Sequence, residues 1–352
     1  MMKKILAIIF PTAVFFTAVF LSVNWWINFK STTPNLNLTP IITPQPTPQS
    51  VSILFLGDVM LSRGVANQIE KNNNLYFPFQ YIKEELLNND FVFANLESPI
   101  IEGRKINAGE MFFRTDEKLI PILKEMNFSI VSLANNHMLD MGQKGLLNTF
   151  KVLTENNIKY IGAGENYEKA HESKILEKNG IKFAFLAYND DDVILATNEA
   201  TDDRAGTAFM GLEGLKKDVA NAKLLSDFVI VSMHSGNEYQ VEPNQKQIDF
   251  SHTAIDSGAD LVIGHHPHII QKYEQYKNGH IFYSLGNCIF DQMWSEETRE
   301  GIMVKIVFSK ESITKIEPIP FLIENFSQPR IINREDNSEL YNKILNKLEK
   351  IF

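Results

Sequence analysis

Three of the eight histidines in this 352-residue chain lie within four positions, at His265, His266 and His268. They follow a short apolar run at residues 261–263 and a glycine. A brief, β-branched run that stops at a glycine is typical of a buried strand, so the imidazoles are predicted to lie on a turn at its carboxyl end. Imidazole is the commonest protein ligand for transition metals. The spacing therefore indicates a metal site, with a histidine-rich polar loop as the alternative interpretation.

The elements that would position these histidines form an alternating pattern. Buried strands are predicted over residues 51–56, 91–94, 128–133, 183–187, 228–233, 261–263 and 280–285. Patterns typical of helices lie between them, over residues 78–88, 116–126, 145–156, 212–225 and 244–257. Strands that alternate with helices predict βαβ units and a largely parallel sheet, and ligands bind at the carboxyl ends of the strands in such sheets.

Those strand ends carry side chains of the types that bind metal ions. The set combines two carboxylates, one amide and several imidazoles, at Asp58, Glu97, Asn136, His137, His234, His266 and His268. Such donors suit Mn, Fe, Zn or Mg better than copper or calcium. They are numerous enough for two ions that share a carboxylate. Two ions about 3.5–4 Å apart can activate a water and clamp the attacking and leaving oxygens of a displacement at phosphorus or a carbonyl.

Composition narrows the classes of ligand and partner. The net charge is -9, and without a basic surplus nothing indicates a nucleic acid as a partner. Cys288 is the only cysteine, which excludes an intrachain disulfide and a thiolate zinc cluster. Any metal must therefore be held by histidine, aspartate, glutamate and asparagine.

The N-terminus predicts a membrane anchor. Lys3 and Lys4 precede an uncharged segment over residues 5–29, which exceeds the roughly 20 residues that a helix needs to cross a bilayer. The two lysines place the N-terminus in the cytoplasm, and Trp25 and Trp26 fall where an interfacial aromatic belt lies. Because the segment is long and no Ala-x-Ala site follows it, an uncleaved signal anchor is favoured over a cleaved signal peptide. A single-pass protein of the cell membrane with an extracytoplasmic C-terminal domain is expected.

The chain is predicted to divide into four segments. Residues 31–50 contain five prolines and no charge, which indicates an extended linker. Two alternating segments near the end of the main domain predict antiparallel strands that close it, and a charged amphipathic helix is predicted over residues 337–351. The expected segments are the N-terminus with its signal anchor (1–30), the linker (31–50), the main domain (51–325) and a C-terminal tail with a helix (326–352).

In their order along the chain, the motifs resemble those of the calcineurin-like metallophosphoesterases. More closely they resemble the CapA/PgsA-type poly-γ-glutamate capsule synthesis proteins of that superfamily. The matching stretches are Gly-Asp-Val-Met-Leu-Ser-Arg-Gly at 57–64, Ala-Asn-Leu-Glu at 94–97, Ser-Leu-Ala-Asn-Asn-His-Met-Leu-Asp at 132–140, His-Ser-Gly-Asn-Glu-Tyr at 234–239, Gly-His-His-Pro-His at 264–268 and Tyr-Ser-Leu-Gly-Asn at 283–287. The resemblance covers about residues 51–325. It implies an α/β fold of four layers, α/β/β/α, at the outer face of the membrane.

The resemblance also implies a role for each candidate residue. Metal ligands would be Asp58 and His268 on the first ion, Glu97 as the bridge, and Asn136, His234 and His266 on the second. His137 would act as the acid or charge stabiliser at the leaving oxygen. Asp140, three residues further on, would orient His137, as carboxylates beside ligand imidazoles do.

One departure from the superfamily pattern concerns the first metal. The usual Asp-x-His motif reads Asp58-Val59-Met60 in this chain. A thioether is a poor ligand for a hard ion. The first site is therefore expected to be weaker, or to borrow His265 or Asn287.

Residues near the motifs are candidates for substrate binding. Arg63 is predicted to bind a phosphate or carboxylate in a bidentate way, with a surface salt bridge as the alternative. Glu238 and Tyr239 are predicted to line the substrate cleft, with packing of Tyr239 at the strand end as the alternative. The acidic run at residues 190–192 favours a solvated loop over a metal contact.

Two functions from different classes remain open. The first is a membrane-anchored, metal-dependent hydrolase with two divalent ions (Mn, Fe or Zn), acting on a phosphoester or related anionic substrate of a surface polymer. The second is a non-catalytic subunit of a polymer synthesis or export complex, which binds an anionic polymer at the same cleft and contacts the synthetase or export subunits. Met60 in place of histidine favours the second function.

Overall fold

The computed structural model describes residues 49–348. The predicted signal anchor and all but the last two residues of the predicted linker lie outside the described residues. Between residues 49 and 348, no helix is both long enough and apolar enough to cross a membrane.

The described residues contain sixteen strands and eight α-helices. The strands are β1 Val51–Val59, β2 Phe91–Leu96, β3 Phe128–Ser132, β4 Lys159–Ile161, β5 Ala163–Gly164, β6 Lys174–Lys178, β7 Ile181–Asn189, β8 Gly206–Thr207, β9 Phe228–His234, β10 Leu261–His265, β11 Tyr273–Tyr276, β12 Gly279–Phe282, β13 Asn287–Ile289, β14 Glu300–Phe308, β15 Ile313–Glu324 and β16 Gln328–Ile331. The helices are α1 Arg63–Lys71, α2 Lys83–Leu87, α3 Ile120–Glu125, α4 Gly142–Glu155, α5 Tyr167–Ala170, α6 Leu212–Leu225, α7 Gln245–Asp256 and α8 Ser338–Leu345.

Most of the strands form two sheets. The first sheet has the order β16-β15-β14-β1-β2-β3-β4, and β13 pairs with the end of β1. Within it β1, β2, β3, β4 and β13 are parallel, whereas β14, β15 and β16 are antiparallel to their neighbours. The second sheet has the order β11-β12-β10-β9-β7-β6, with β7, β9, β10 and β12 parallel. The predicted strands are therefore present, but they are divided between two sheets.

Alternate residues of the central strands pack into different layers. Phe55 of β1 faces the second sheet, whereas Leu54 and Leu56 face the helices α1 to α4. In the second sheet, Val231 of β9 faces the helices α6 and α7. Because each sheet is buried on both faces, the sequence of each central strand is a continuous apolar run. The result is the α/β/β/α sandwich that the resemblance implied.

The C-terminal segment packs onto the same core. Strand β16 pairs with β15 in the first sheet. Beyond it, Ile344 of α8 and Leu348 belong to the apolar layer between the two sheets. The segment beyond the predicted boundary at residue 325 therefore packs against the main domain.

Strand register brings the polar ends together. Asp58 of β1 lies opposite Asn95 of β2 on one side and Asn287 of β13 on the other. In the second sheet, His234 of β9 lies opposite His265 of β10. Because these strands are parallel, their polar carboxyl ends meet at one edge of the sandwich.

Candidate metal centre

Three buried side chains converge at the carboxyl ends of β1, β2 and β10. One ligand atom from each of Asp58, Glu97 and His268 lies within 4.8 Å of the other two. His268 Nδ1 is 3.6 Å from Asp58 Oδ2, and His268 Nε2 is 3.9 Å from Glu97 Oε1. These residues are named the first cluster. Its oxygen and nitrogen donors are those that a divalent ion of the Mn, Fe or Zn type prefers.

The first cluster contains an orphaned buried atom. Glu97 is fully buried, and its Oε1 atom has no hydrogen-bond partner. A buried carboxylate oxygen without a partner is costly in an apolar interior. A cation bound between Glu97, Asp58 and His268 would satisfy that oxygen, so the residues present fit a metal ion.

A second group of donor atoms adjoins the first. His234 Nε2 lies 3.0 Å from Asn136 Oδ1 and 3.1 Å from His266 Nδ1. These residues are named the second cluster. The backbone N–H of His266 donates to Asp58 Oδ2 at 3.3 Å, which joins the two clusters. The six predicted metal ligands therefore form two groups of three at one edge of the sandwich.

Asn95 connects the clusters and was missed in the sequence. Its Nδ2 atom lies 2.9 Å from Asp58 Oδ1, 3.1 Å from Glu97 Oε2 and 3.3 Å from His234 Nδ1. Asn135 Nδ2 donates to Asn95 Oδ1 at 3.0 Å and so fixes the amide orientation. The sequence could have indicated this role. Asn95 stands two positions before Glu97 at the end of a parallel strand, so the two side chains are expected on the same face of the sheet.

The turn that carries two of the histidines is strained. His266 has φ +97° and His268 has φ +57°, a left-handed conformation that non-glycine residues seldom adopt. Each such residue costs on the order of 1–3 kcal/mol and is typical of functional sites. Before the turn, a Cβ atom at Gly264 would lie 1.9 Å from the Tyr283 carbonyl oxygen, so this close approach requires glycine. The turn directs both rings to the same place, with centroids 6.0 Å apart.

Burial keeps the imidazoles neutral. It lowers the pKa of His234 well below its usual range, lowers the pKa of His266 to about 3, and also lowers the pKa of His268. The neutral ring is the form that binds metal. Burial and the charge of Asp58 raise the pKa of Glu97 well above its usual range. Burial also opposes ionisation of Asp58, but His265, His268 and Asn95 together outweigh burial and lower the pKa of Asp58.

The predicted acid and its orienting carboxylate are in contact. His137 Nδ1 is 2.8 Å from Asp140 Oδ2, and the His137 ring stacks on Phe113 with centroids 3.8 Å apart. The Phe113 backbone N–H donates to the same Asp140 oxygen at 2.7 Å. His137 Nε2 lies 4.0 Å from Glu97 Oε1. With Nδ1 held by Asp140, the free ring nitrogen faces the first cluster.

Met60 does not reach the metal centre as a ligand would. Its side chain is buried in the apolar layer beneath the helices, and its sulfur accepts the Ser62 backbone N–H at 3.0 Å. The two residues expected to compensate each lie against one of the predicted ligands. His265 Nδ1 lies 3.2 Å from Asp58 Oδ1, and Asn287 Oδ1 lies 2.9 Å from His268 Nδ1. Asn287 therefore leaves His268 Nε2 free to face Glu97.

The candidate cations for substrate binding are engaged inside the protein. Arg63 is buried, its guanidinium lies 2.5 Å from Asp291 and it stacks over Phe113 at 4.5 Å. The salt bridge predicted as the alternative for Arg63 is therefore present, although it is buried rather than at the surface. Arg114 forms an ion pair with Asp116.

The acidic run at residues 190–192 pairs with a single lysine. Lys246 Nζ pairs with Asp190 at 2.5 Å, with Asp192 at 3.0 Å and with Asp191. Asp190 also accepts the Ser235 hydroxyl. The three carboxylates thus surround an ammonium group of the chain itself.

Comparison with known proteins places these residues in a family. A family model described as the bacterial capsule synthesis protein PGA_cap matches residues 52–292, which is more than half of the chain and includes both clusters. The chain belongs to this family. Two relatives share 31% identity with this PGA_cap chain. One is the capsule biosynthesis protein CapA of Bacillus anthracis, over 84% of this chain and 73% of the relative. The other is the PGA biosynthesis protein CapA of Bacillus subtilis, over 77% of this chain and 71% of the relative.

Solved structures share the fold of the PGA_cap chain. A putative 5'-nucleotidase from Staphylococcus aureus matches with a TM-score of 0.50 at 14% identity, over 85% of this chain and 58% of that one. The calcineurin-like phosphoesterase YfkN from Bacillus subtilis matches with a TM-score of 0.49 at 13% identity, over 86% of this chain and the whole of that one. At 14% identity the likeness to the putative 5'-nucleotidase concerns the fold alone.

Proposed function

We propose that this PGA_cap protein is a metal-dependent hydrolase that acts on a phosphoester or related anionic substrate during synthesis of a surface polymer. The observation that carries the proposal is the first cluster, in which a buried carboxylate oxygen of Glu97 has no partner beside Asp58 and His268. The names of the relatives, capsule and PGA biosynthesis proteins, support the link to a polymer. The uncharged segment at residues 5–29 supports a membrane anchor with the domain outside.

Two divalent ions, of Mn, Fe or Zn, fit the donors present. The first cluster would hold one ion and the second cluster the other. When bound, the ions would supply positive charge at the reacting oxygens and an activated water. The chain's own contribution is to hold neutral imidazoles and oriented carboxylates in place before the substrate arrives.

His137 is the residue assigned to proton transfer in this proposal. Asp140 fixes its Nδ1 atom, and Phe113 holds the ring plane by stacking. The Nε2 atom then faces the clusters and can donate a proton to the oxygen that leaves the substrate. This role requires no movement of the backbone, because the ring is already held from two sides.

Metal content and hydrolysis together test the proposal. The purified full-length protein is expected to contain Mn, Fe or Zn by elemental analysis and to hydrolyse phosphodiesters or phosphomonoesters. His266→Asn is expected to lower both, whereas His252→Asn is the matched control, because His252 pairs with Glu274 outside the two clusters. Wild-type protein that binds no metal tightly contradicts the proposal.

A second candidate function is supported by Met60. With its sulfur in the core, the first ion lacks the imidazole that the wider superfamily supplies at this place. The domain would then be a non-catalytic subunit that binds an anionic polymer and contacts the synthetase or export subunits. Polymer production that survives substitution of Asp58 and His266 in cells would favour this function. Loss of production in both variants, at normal protein levels, would favour the hydrolase.

A further inference from the structure

An exposed aromatic corner adjoins the first cluster. Tyr239 is 41% exposed and Trp294 is 63% exposed, and their ring centroids are 6.0 Å apart at 78°. The Tyr239 ring also lies 6.1 Å from the ring of His268, at 30°. The corner therefore stands at the mouth of the candidate metal centre, where a substrate bound to the ions would pass.

The backbone of Tyr239 adopts an unfavourable conformation. Its φ is +62°, the left-handed region, which is unfavourable for an aromatic residue. Its backbone N–H donates to the Pro267 carbonyl oxygen at 2.9 Å, and Gln292 Nε2 donates to its hydroxyl at 3.3 Å. Two hydrogen bonds thus hold Tyr239 against the histidine turn, while 41% of the residue stays exposed.

The electrostatic environment of the corner is negative. Exposed Glu238 precedes Tyr239, and burial together with the charge of Glu238 raises the pKa of the Tyr239 hydroxyl. Arg63, the cation predicted to bind substrate, is paired with Asp291.

We infer that Glu238, Tyr239 and Trp294 bind an ammonium group of the substrate. A cation over an exposed indole or phenol ring is stabilised by the ring quadrupole, and the Glu238 carboxylate supplies the opposite charge. The inference rests on the proposed function, because that function assigns the anionic group of the substrate to the metal ions. It narrows the substrate class to zwitterionic compounds, such as aminoalkyl phosphates, in which an amine lies a few bonds from the anionic group.

A matched pair of ligands tests the inference on the full-length, metal-loaded protein. Titration calorimetry at pH 8 compares 2-aminoethyl phosphate with propyl phosphate, which has nearly the same shape but no ammonium. From the usual strength of exposed cation–π and ion-pair contacts, we expect about five-fold tighter binding of the amine. The ratio of the two dissociation constants is expected to fall to about two in Glu238→Gln and in Trp294→Leu, and to about one in the double variant.

Glu125→Gln is the control, because Glu125 is an exposed carboxylate that accepts a tyrosine hydroxyl, that of Tyr76, away from the centre. The ratio should not change in this variant. Equal binding of the two ligands by the wild type overturns the inference. A Trp294→Leu variant that weakens both ligands equally also overturns it, since the corner would then recognise shape rather than charge.

The same pair of ligands distinguishes this inference from the proposed function. One outcome is that the wild-type protein binds the amine more tightly and yet hydrolyses neither the p-nitrophenyl ester of 2-aminoethyl phosphate nor that of propyl phosphate. That result supports the ammonium site and contradicts the proposed hydrolase. Hydrolysis of both esters at equal kcat/KM retains the hydrolase and overturns the ammonium site.

Discussion

Nε2 of His268 lies 3.9 Å from Oε1 of Glu97 in a buried site, and that carboxylate oxygen has no hydrogen-bond partner. The two atoms are too far apart for a hydrogen bond and close enough to share a cation. Burial and the neighbouring Asp58 raise the pKa of Glu97. The metal-free protein therefore contains a buried carboxyl group whose ionisation is disfavoured.

Glu97→Gln is expected to stabilise the metal-free protein while removing its response to metal. A carboxyl group whose pKa is raised by folding contributes its full stability only below its unfolded pKa of about 4.5. This stability is lost as the pH rises through the folded-state pKa. Replacing it by an amide should raise the free energy of unfolding at pH 7 by about 1–3 kcal/mol. Thermal unfolding in EDTA measures this gain. Added Mn²⁺ should then raise the Tm of the wild type and leave that of the variant unchanged.

His266→Asn is expected to flatten the acid side of the stability profile. Burial lowers the folded-state pKa of His266 to about 3, against about 6.5 in the unfolded chain. Between these values the unfolded state binds the extra proton, so wild-type stability falls as pH drops below 6.5 by up to about 1.4 kcal/mol per pH unit. Urea unfolding in EDTA from pH 4 to pH 8 measures the slope. Equal slopes in the two proteins would show that His266 is not buried as a neutral ring.

Asp140→Asn is expected to lower kcat without lowering metal content. Asparagine can still accept the Phe113 backbone N–H but no longer balances the charge of a protonated His137. Substitution of a carboxylate that orients an imidazole typically costs 10–100-fold, and we expect a loss in this range. Phosphodiester hydrolysis and elemental analysis of the same sample provide the two readouts. A parallel loss of metal would instead assign Asp140 to metal binding.

Asn95→Ala is expected to destabilise the metal-free protein and to weaken metal binding. The amide is within 3.3 Å of Asp58, Glu97 and His234, so its removal leaves buried acceptors unsatisfied. Each such acceptor costs about 1–3 kcal/mol. Chemical unfolding in EDTA and Mn²⁺ titration measure the two effects. Asn148→Ala is a suitable control, because Asn148 donates similar bonds to the Ile100 carbonyl and Glu117 away from the centre.

Much of the fold could be predicted from the sequence because burial leaves a clear pattern. The helix predicted over residues 212–225 is observed as Leu212–Leu225, and the strand predicted to begin at Val51 begins there. Sheets covered on both faces require long apolar runs, and such runs are visible without a structure. The predicted helix over 78–88 was only partly right, since a 3₁₀ turn at Phe77–Phe79 precedes the short helix α2.

The site was harder to predict where residues distant in the chain must meet. The ligand types were visible at the strand ends, but the partner of Arg63 was not, because Asp291 lies more than two hundred positions away. Whether Met60 faced the ions or the core depended on the local path of the chain after β1. Trp294 gave no signal, since a single aromatic residue in a loop has no periodic pattern around it.

The pairing of β1 with β14 has a consequence for how the protein is made. Val51, at the start of the domain, lies opposite Phe308, so the central strand of the first sheet gains its antiparallel neighbour only when most of the chain exists. Ile344 and Leu348 complete the layer between the sheets later still. Contacts between such distant segments form slowly. In a chain emerging from the ribosome, this layer therefore stays incomplete until residue 348 has been synthesised.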